Sequence, residues 1–470
     1  MTETVNRMET NLSEGSVLKK LIIFALPFLA ANIVQSLYNV ADMLIVGQFA
    51  TADSMSGVNI GGQVTFVLTN IVIGLCMGAT VLIGQYVGRG DENALNRVTS
   101  TIISILILSS VLMTVVSLIF RVQILNLIQT PADSFSESNS YLTVTVSGLI
   151  FIFGYNALSA ILRGMGDSKR PFFFVSIACV TNIILDLIFV AVFKWGAFGA
   201  ALATVISQAL SMFLCIAYMI RYSFHFDFRF KSYHIYKEQL LLILKIGLPT
   251  CAQNAITSIS FLVITALVNI ISGDSSIPSA AVGAVGKFNS FAFMPTIAMS
   301  ASISAMSAQN IGAGKMDRAA NTCKIGTLFS VAVTYIFFGL TQLFPESVLR
   351  IFSNDPELIQ AGITYIRAFA YDFLFIPFIF CINGLLIGGG HTLFTLILSI
   401  MSSVLLRVPI CYFFGVILNM GLFGIGLGAP AASAGSLIAI TVFMLSGRWK
   451  HNAVKHAPMP LEDMTYTSES

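Results

Sequence analysis

The chain has 470 residues, of which 56% are hydrophobic and only 10% are charged, with a formal net charge of +3 and a mean hydropathy of +0.85. Soluble domains carry roughly 25% charged residues, so this composition excludes a soluble enzyme and, because it is so hydrophobic, a disordered chain. The apolar residues form long unbroken runs instead of the alternation of outer-membrane strands, which leaves an all-α polytopic membrane protein.

A polar N-terminal tail, residues 1–20, precedes twelve apolar segments, each long enough for the roughly 20 helical residues that cross a bilayer. The predicted spans cover residues 21–46, 58–86, 98–120, 141–162, 172–193, 197–220, 242–271, 281–309, 322–343, 361–388, 393–416 and 423–446. An even number of spans places both termini on the same side of the membrane. Most of the 25 Lys and Arg residues lie in the tails and in the loops after even-numbered spans, so both termini are predicted to be cytoplasmic.

The longest polar break in the body of the chain, residues 221–245, divides it into two halves. Basic and aromatic side chains alternate there, and we interpret the segment as a cytoplasmic linker at the membrane surface rather than a nucleic-acid-binding element. It separates an N-terminal six-span lobe, residues 21–220, from a C-terminal six-span lobe, residues 246–446. Residues 447–470 are predicted to form a cytoplasmic C-terminal tail.

The two halves repeat one another. Four anchors recur in the same order and at a nearly constant separation: Leu26-Pro27 and Leu248-Pro249, Gln85-Tyr-Val-Gly88 and Gln309-Asn-Ile-Gly312, Leu162-Arg-Gly164 and Leu386-Ile-Gly388, and Gly196-Ala-Phe-Gly199 and Gly421-Leu-Phe-Gly424. Because the separation covers six segments, an even number, the halves are parallel in topology and related by a pseudo-twofold axis along the membrane normal. Such halves are typical of secondary transporters, in which substrate lies between them. An ancestral duplication in a channel or an enzyme is the alternative.

Acidic residues inside apolar spans are the first candidates for function, because each costs about 2.5–3.5 kcal/mol at a helix centre on insertion scales. Asp42 in span 1 is the clearest case. It ends a stripe of polar residues spaced three or four apart, which also contains Asn32, Gln35 and Asn39. A stripe of this kind is expected to face the protein interior or water rather than lipid.

A second carboxylate lies in span 5, where Asp186 follows Asn182 by one helical turn. Thr204 in span 6 adds a hydroxyl group. The alternative interpretation of Asp42 and Asp186 is structural, with each carboxylate paired to a neighbouring Arg or Lys.

Three motifs resemble those of a known family: Pro27 followed by Asn39-Val-Ala-Asp42-Met-Leu-Ile-Val-Gly47, Gln85-Tyr-Val-Gly88-Arg-Gly90, and Leu162-Arg-Gly-Met-Gly-Asp-Ser-Lys-Arg-Pro171. Together they resemble the multidrug and toxic compound extrusion (MATE) family, and the similarity extends from about Lys19 to Trp449. The motif Asn182-Ile-Ile-Leu-Asp186 and the absence of a glutamate from span 7 are similar to the DinF-like branch. The resemblance implies two six-helix lobes around a central cavity, and cation-coupled efflux of amphipathic, often cationic compounds.

The resemblance also implies a cation site in the N-terminal lobe, lined by Asp42, Asn182, Asp186 and Thr204. Carboxylate, amide and hydroxyl oxygens suit Na⁺ as they suit other hard cations, and two buried carboxylates can instead hold a proton. The expected coupling ion is therefore Na⁺ or H⁺, and no other metal and no cofactor is expected.

Other polar residues in the N-terminal lobe are candidates for supporting roles. Pro27 removes a backbone hydrogen bond from span 1 and is interpreted either as a hinge or as a static kink. The candidates for the polar stripe or the substrate cavity are Gln35, Tyr38, Asn39, Tyr155 and Asn156.

The C-terminal lobe carries one acid, Asp372, inside span 10. Arg367, five residues earlier, and Arg407, in span 11, are the available basic partners. We expect Asp372 to form a buried ion pair with one of them; if the acid has no partner, the lobe is expected to carry a second cation site.

The sequence contains no nucleotide-binding P-loop and no catalytic motif, so no enzymatic activity is expected. The favoured function is export of amphipathic, cationic drugs or toxic compounds across the cytoplasmic membrane by cation antiport with alternating access. A flippase for lipid-linked precursors is the first alternative, and a channel or receptor is the second. We expect a monomer in the lipid bilayer, with small-molecule substrates and no nucleic-acid partner.

Overall fold

Sixteen α-helices, several of them joined by 3₁₀ or π-helical turns, make up the part of the chain that the structure describes, and that part contains no β-strand. The structure is a computed structural model, and it describes residues 11–222, 226, 228–272, 275–452 and 454. Residues 1–10 of the predicted N-terminal tail and residues 455–470 of the predicted C-terminal tail lie outside the described residues.

The helices of the first half are α1 (Val17–Phe49), α2 (Ala52–Arg89), α3 (Glu92–Leu127), α4 (Ala132–Ser147), α5 (Leu149–Gly164), α6 (Lys169–Asp186) and α7 (Gly196–Arg221). Those of the second half are α8 (Lys237–Ser272), α9 (Ile277–Gly312), α10 (Met316–Leu343), α11 (Pro345–Arg350), α12 (Pro356–Phe369), α13 (Ile376–Gly388), α14 (Thr392–Ile400), α15 (Val408–Tyr412) and α16 (Gly421–Leu445). The π-helical turns are Leu187–Val192, Met401–Arg407 and Phe413–Ile417, and the 3₁₀ turns are Phe230–Ser232, Ala370–Leu374 and Arg448–Lys450.

All twelve predicted spans fall on these elements, to within one residue at their ends. Ten helices are long and apolar enough to cross a membrane, and two bent helix pairs bring the number of candidate spans in the described chain to twelve. Several helices extend past the apolar segments into polar residues; α3, for example, covers Glu92–Leu127 where the apolar segment covers 98–120. The prediction of an all-α membrane protein with twelve spans is confirmed.

The two bent spans lie at equivalent places in the two halves. In the first half, α4 and α5 meet at 49°, and in the second half the helix ending at Leu374 meets α13 at 45°. At the first bend, the absence of a side chain on Gly148 lets α7 pack closely, because an added β-carbon would lie 2.5 Å from the Val205 side chain. At the second, Pro377 is in the first turn of α13 and cannot donate a backbone hydrogen bond.

Each half packs into its own lobe. In the first lobe, α2 packs on α4 and α5, and α6 packs between α1 and α7; in the second, α9 packs on α10 and α13, α8 on α14, and α12 on α16. The lobes meet where α2 contacts α8 and α9, and where α1 contacts α9. The two six-span lobes of parallel topology are those predicted from the repeat.

Candidate functional site

The polar stripe of α1 runs from exposed positions to a buried carboxylate. Because α1 is one helix through Phe49, the three- and four-residue spacing does place these side chains along one side. Gln35 and Asn39 are exposed and Tyr38 is half-buried, whereas Asp42 is only 8% exposed. The acid at the end of the stripe therefore lies inside the first lobe, where α1 packs against α6.

Asp42 faces Asp186, which lies at the end of α6 and is fully buried. The two carboxyl groups are close enough to interact directly through their oxygens. On each of them, Oδ1 has no hydrogen-bond partner among the described residues. Two carboxylates at this separation repel unless a proton or a cation lies between them.

Asn182 links this acid pair to α7. In the amide orientation that satisfies both of its polar atoms, Asn182 Nδ2 donates to Asp186 Oδ2 at 2.9 Å and Oδ1 accepts from the Thr204 backbone N–H at 3.3 Å. The Thr204 hydroxyl donates to the Ala200 carbonyl at 3.0 Å, so the Tyr38 hydroxyl, 3.1 Å away, is the donor to Thr204 Oγ1. The structure thus brings together the four predicted cation-site residues and Tyr38, and we refer to these five residues as the polar network.

Tyr141 is a further member of the site that sequence reasoning missed. It is 7% exposed, and its side chain lies within reach of Thr204 and both carboxylates. Its ring lies so close to Gly61 that a β-carbon there would be 2.6 Å from Cδ1. The available signal was the repeat itself, because the register that aligns Gly164 with Gly388 also matches Tyr141 with Tyr365.

A small cavity between α1, α6 and α7 opens onto the polar network. It is lined by Gln35, Tyr38, Val175, Ala178, Cys179, Asn182, Thr204, Ser207 and Gln208. Most of its polar groups come from the network and the α1 stripe, and Gln208 adds an amide that the sequence did not single out. The cavity therefore places polar groups beside Tyr38, Asn182 and Thr204 of the polar network.

Two local features position the helices of the network. Asp186 is the last residue before the π-helical turn Leu187–Val192, a widened turn of a type often found at functional sites. The first turn of α7 is held by Glu137, whose Oε2 accepts from the Ala197 backbone N–H at 2.9 Å and from Ser54 Oγ at 3.0 Å. A carboxylate at a helix N-terminus is favourable, and here it fixes the helix that carries Thr204.

The other predicted residues of the first lobe lie apart from the network. The Tyr155 hydroxyl donates to the Pro171 carbonyl at 2.8 Å and ties α5 to α6, and Asn156 donates to the Ile152 carbonyl in its own helix. The structure does not bring either side chain to the small cavity. Pro27 lies inside α1, which remains helical on both sides of it, and its role as a hinge stays a prediction.

The predicted ion pair of the second lobe is not formed among the described residues. Asp372 is fully buried in the 3₁₀ turn after α12, and neither of its carboxylate oxygens has a hydrogen-bond partner in the described chain. Arg367 is exposed, which rules it out as the partner. Arg407 is buried and nearer, but its guanidinium lies over the Phe261 ring at 5.2 Å.

Comparison with known proteins gives a consistent result across the chain. A family model described as MatE matches residues 27–188 and 249–413, one segment in each lobe. "Probable multidrug resistance protein YpnP" of Bacillus subtilis strain 168 is 27% identical over 441 residues, covering 94% of this chain and 97% of that protein. "Probable multidrug resistance protein NorM" of Thermotoga maritima is 28% identical over 446 residues, covering 93% and 94%.

A solved structure has the same fold. It is described as the outward-facing conformation of a multidrug resistance MATE family transporter of the MOP superfamily, and it superposes with a TM-score of 0.87 at 20% sequence identity. The superposition covers 96% of this chain and 99% of that one. At this identity the likeness concerns the arrangement of helices and not the identity of site residues.

Proposed function

This chain belongs to the MatE family of multidrug efflux transporters, and from that premise we propose that it is an antiporter coupled to Na⁺ or H⁺. It exports amphipathic, cationic compounds across the cytoplasmic membrane by alternating access, as a monomer with both termini in the cytoplasm. The coupling ion binds in the first lobe between Asp42 and Asp186.

The observation that carries this proposal is the pair of buried, facing carboxylates. Asp42 and Asp186 have no basic partner in the ion pairs of the described chain, and each keeps an oxygen without a hydrogen bond. Asn182 and Thr204 add amide and hydroxyl oxygens beside them. Oxygen donors of this kind suit a hard cation, and a shared proton would satisfy the same pair.

The contacts between the lobes support alternating access. A β-carbon added at Gly88 would lie 2.0 Å from the Gln309 carbonyl oxygen, so α2 and α9 are in close contact at the end that carries the termini. Toward the other ends of the same helices, Gly62 and Gly286 have no other group within 4 Å of an added β-carbon in the described chain. This asymmetry is expected of a state closed on the side of the termini and open on the opposite side.

The direction of transport follows from the charge distribution and the available energy. Most basic residues lie at the terminus-bearing end, which supports a cytoplasmic location for that end. One cation moving inward across 100 mV supplies about 2.3 kcal/mol, and a tenfold concentration gradient adds about 1.4 kcal/mol. The relatives described above carry the names of multidrug resistance proteins, which favours drug export over lipid-precursor flipping.

The test is gradient-driven transport of ethidium, an amphipathic cation, in proteoliposomes. A Na⁺ gradient at equal pH and a pH gradient at equal Na⁺ are imposed separately, which identifies the coupling ion. Asp42→Asn keeps the shape of the side chain but removes its charge, and we expect gradient-driven transport to fall about tenfold or more. The matched control is Asp53→Asn, which changes an exposed acid at the start of α2 and should transport like the unmodified protein.

Unmodified rates for Asp42→Asn under both gradients would overturn the proposed coupling site. Transport by the unmodified protein that responds to neither gradient would overturn cation antiport itself.

A further inference from the structure

The cytoplasmic ends of α2 and α9 make the same contact twice, once in each direction. A β-carbon on Gly88 would lie 2.0 Å from the carbonyl oxygen of Gln309, and one on Gly312 would lie 2.0 Å from the carbonyl oxygen of Gln85. Both glycines therefore allow one backbone to lie directly against the other. One of the four anchor pairs that revealed the repeat, Gln85-Gly88 and Gln309-Gly312, therefore lies at the interface between the lobes.

The two glutamines of this contact also bond across the lobes through their side chains. Gln85 Nε2, in the first lobe, donates to the Gly388 carbonyl in the second lobe at 2.8 Å. Gln309 Nε2, in the second lobe, donates to the Gly164 carbonyl in the first lobe at 3.0 Å. Both carbonyls belong to the last residue of a helix, where a backbone oxygen has no partner within the helix.

The oxygen of each glutamine accepts a hydrogen bond from one of the tails. The Leu12 backbone N–H, which precedes α1 of the first lobe, donates to Gln309 Oε1 at 2.9 Å. Asn452 Nδ2, which follows α16 of the second lobe, donates to Gln85 Oε1 at 3.0 Å. Each tail therefore crosses from its own lobe to the glutamine of the other.

Both tails are anchored where they cross. Leu12 is 1% exposed and packs in an apolar cluster that the start of α1 forms with helices of the second lobe. Arg318 of α10 donates to the carbonyls of Leu12, Glu14 and Gly15. Val454 is 3% exposed and packs in an apolar cluster of the first lobe.

We infer that Leu12, Gln85, Gln309 and Asn452 form a twofold clasp that holds the cytoplasmic side of the transporter closed. We call these four residues the terminal clasp. The inference rests on the alternating access of the proposed function and assigns the two glutamines a positioning role in it. The tails are then moving parts of the transport cycle, because the lobes cannot separate at this end while both tails remain bound.

The chemistry of the terminal clasp suits a reversible closure. Its buried amides are satisfied across the interface in the closed state, and water can satisfy the same amides once the interface opens. Each bond therefore favours the closed state by a modest factor, roughly fivefold, and several in parallel give a stable but releasable closure.

The test is the distance between two nitroxide labels at the cytoplasmic side, measured by pulsed EPR on the full chain in nanodiscs. The labels are placed at Glu92→Cys and Asp317→Cys, exposed positions at the starts of α3 and α10 in different lobes. Protein without these two cysteines reports any background from the native thiols, of which five are buried and two are partly buried.

Gln85→Met and Gln309→Met remove the amide and keep the length of the side chain. Each should raise the population at the longer distance roughly fivefold, and the double variant should raise it further. Asn452→Asp tests the same contact from the C-terminal tail. It keeps the oxygen that accepts from the Val454 N–H and loses the N–H group that donates to Gln85. Gln342→Met is the matched control, since Gln342 donates the same kind of bond to the Arg367 carbonyl within one lobe.

An unchanged distance distribution in the Gln85→Met, Gln309→Met double variant would overturn the terminal clasp. An equal shift of the distance distribution in Gln342→Met would also overturn it, because the effect would then be a general loss of packing. The distance measurement does not depend on what is transported or which ion drives it. Failure of the clasp is therefore distinguishable from failure of the coupling site, which the Asp42→Asn transport measurement tests.

Discussion

In the second lobe, three of the five positions equivalent to the polar network carry apolar side chains. Aligning Pro27 with Pro249 matches Asp42 with Ile264. Aligning Gly196 with Gly421 matches Asp186 with Cys411 and Thr204 with Ala429. Ile264, Cys411 and Ala429 lie together in one buried apolar cluster, so three oxygen-bearing positions of the first lobe are apolar in the second. The other two, Tyr38 and Asn182, correspond to the buried residues Ser260 and Arg407.

The two lobes differ in length by one residue in this region of the sequence. The segment from Gly388 to Gly421 is longer by one residue than the segment from Gly164 to Gly196, and these segments contain span 11 and span 5. Span 11 also contains an additional π-helical turn, Met401–Arg407, and a π turn accommodates one more residue than an α turn. With this register, Arg407 is the equivalent of Asn182.

The comparison distinguishes residues that both lobes have kept from residues that only one lobe carries. The interface residues Gln85, Gly88, Gln309 and Gly312 are the same in both lobes and make reciprocal contacts. The polar network is present in one lobe only. The lobes therefore share the task of closing on one another, whereas the cation site proposed at Asp42 and Asp186 is not repeated at the equivalent positions of the second lobe. Asp372, which is buried without a hydrogen-bond partner in the described chain, leaves a second cation site in that lobe as a separate prediction.

The largest expected effect comes from exchanging the acid and its apolar equivalent. Ile264→Asp places a carboxylate in an apolar cluster, beside which Arg407 is held over the Phe261 ring, and should destabilise the protein by about 3–5 kcal/mol. Asp42→Ile removes a buried charge from the first lobe and should leave stability unchanged or raise it while abolishing gradient-driven transport. Thermal unfolding in detergent measures the stability of both variants, and ethidium transport in proteoliposomes measures the activity of Asp42→Ile. If Ile264→Asp were as stable as the unmodified protein, the second lobe would offer the acid a partner and the lobes would be more alike than proposed.

The next effect concerns the interface, where the lobes are alike. Gly88→Ala and Gly312→Ala each force a methyl group onto a carbonyl of the other lobe and should destabilise the closed arrangement by about 1–3 kcal/mol. The two losses should be equal within about 0.5 kcal/mol, and the nitroxide pair should show a longer distance in both. The matched controls are Gly62→Ala and Gly286→Ala, which add the methyl group where no other group lies within 4 Å in the described chain. A large difference between Gly88→Ala and Gly312→Ala would contradict a symmetric interface.

The sequence predicted the spans well, because a run of about 20 apolar residues is long enough to cross a bilayer. The grouping of Asp42, Asn182, Asp186 and Thr204 was implied by the resemblance to the MATE family, and their role as a cation site stays a prediction. The sequence did not predict that the N-terminal tail binds Gln309, since Leu12 contributes a backbone N–H, which any residue except proline could supply.

The failed ion pair of the second lobe has a geometric cause. Arg367 lies in the last turn of α12, and the chain then tightens into the 3₁₀ turn Ala370–Leu374, which contains Asp372. The change of helix type shifts the direction of the following side chains. Arg367 is exposed and Asp372 is buried. The five-residue spacing already disfavoured this pair, since only residues three or four apart share one face of a helix.

The smallest expected effect distinguishes the two equivalent tyrosines, Tyr141 and Tyr365. Tyr141→Phe removes a hydroxyl within reach of Thr204 and the two acids, and should raise the cation concentration for half-maximal transport roughly fivefold, the value of one hydrogen bond. Tyr365→Phe is the matched control, because its surroundings include Cys411, Arg407 and the single acid Asp372 instead of an acid pair. The measurement is ethidium transport in proteoliposomes over a series of Na⁺ concentrations and pH values. Equal shifts in both variants would mean that the tyrosines only support the packing of their bent spans, whereas a shift confined to Tyr141→Phe would add a fifth residue to the proposed cation site.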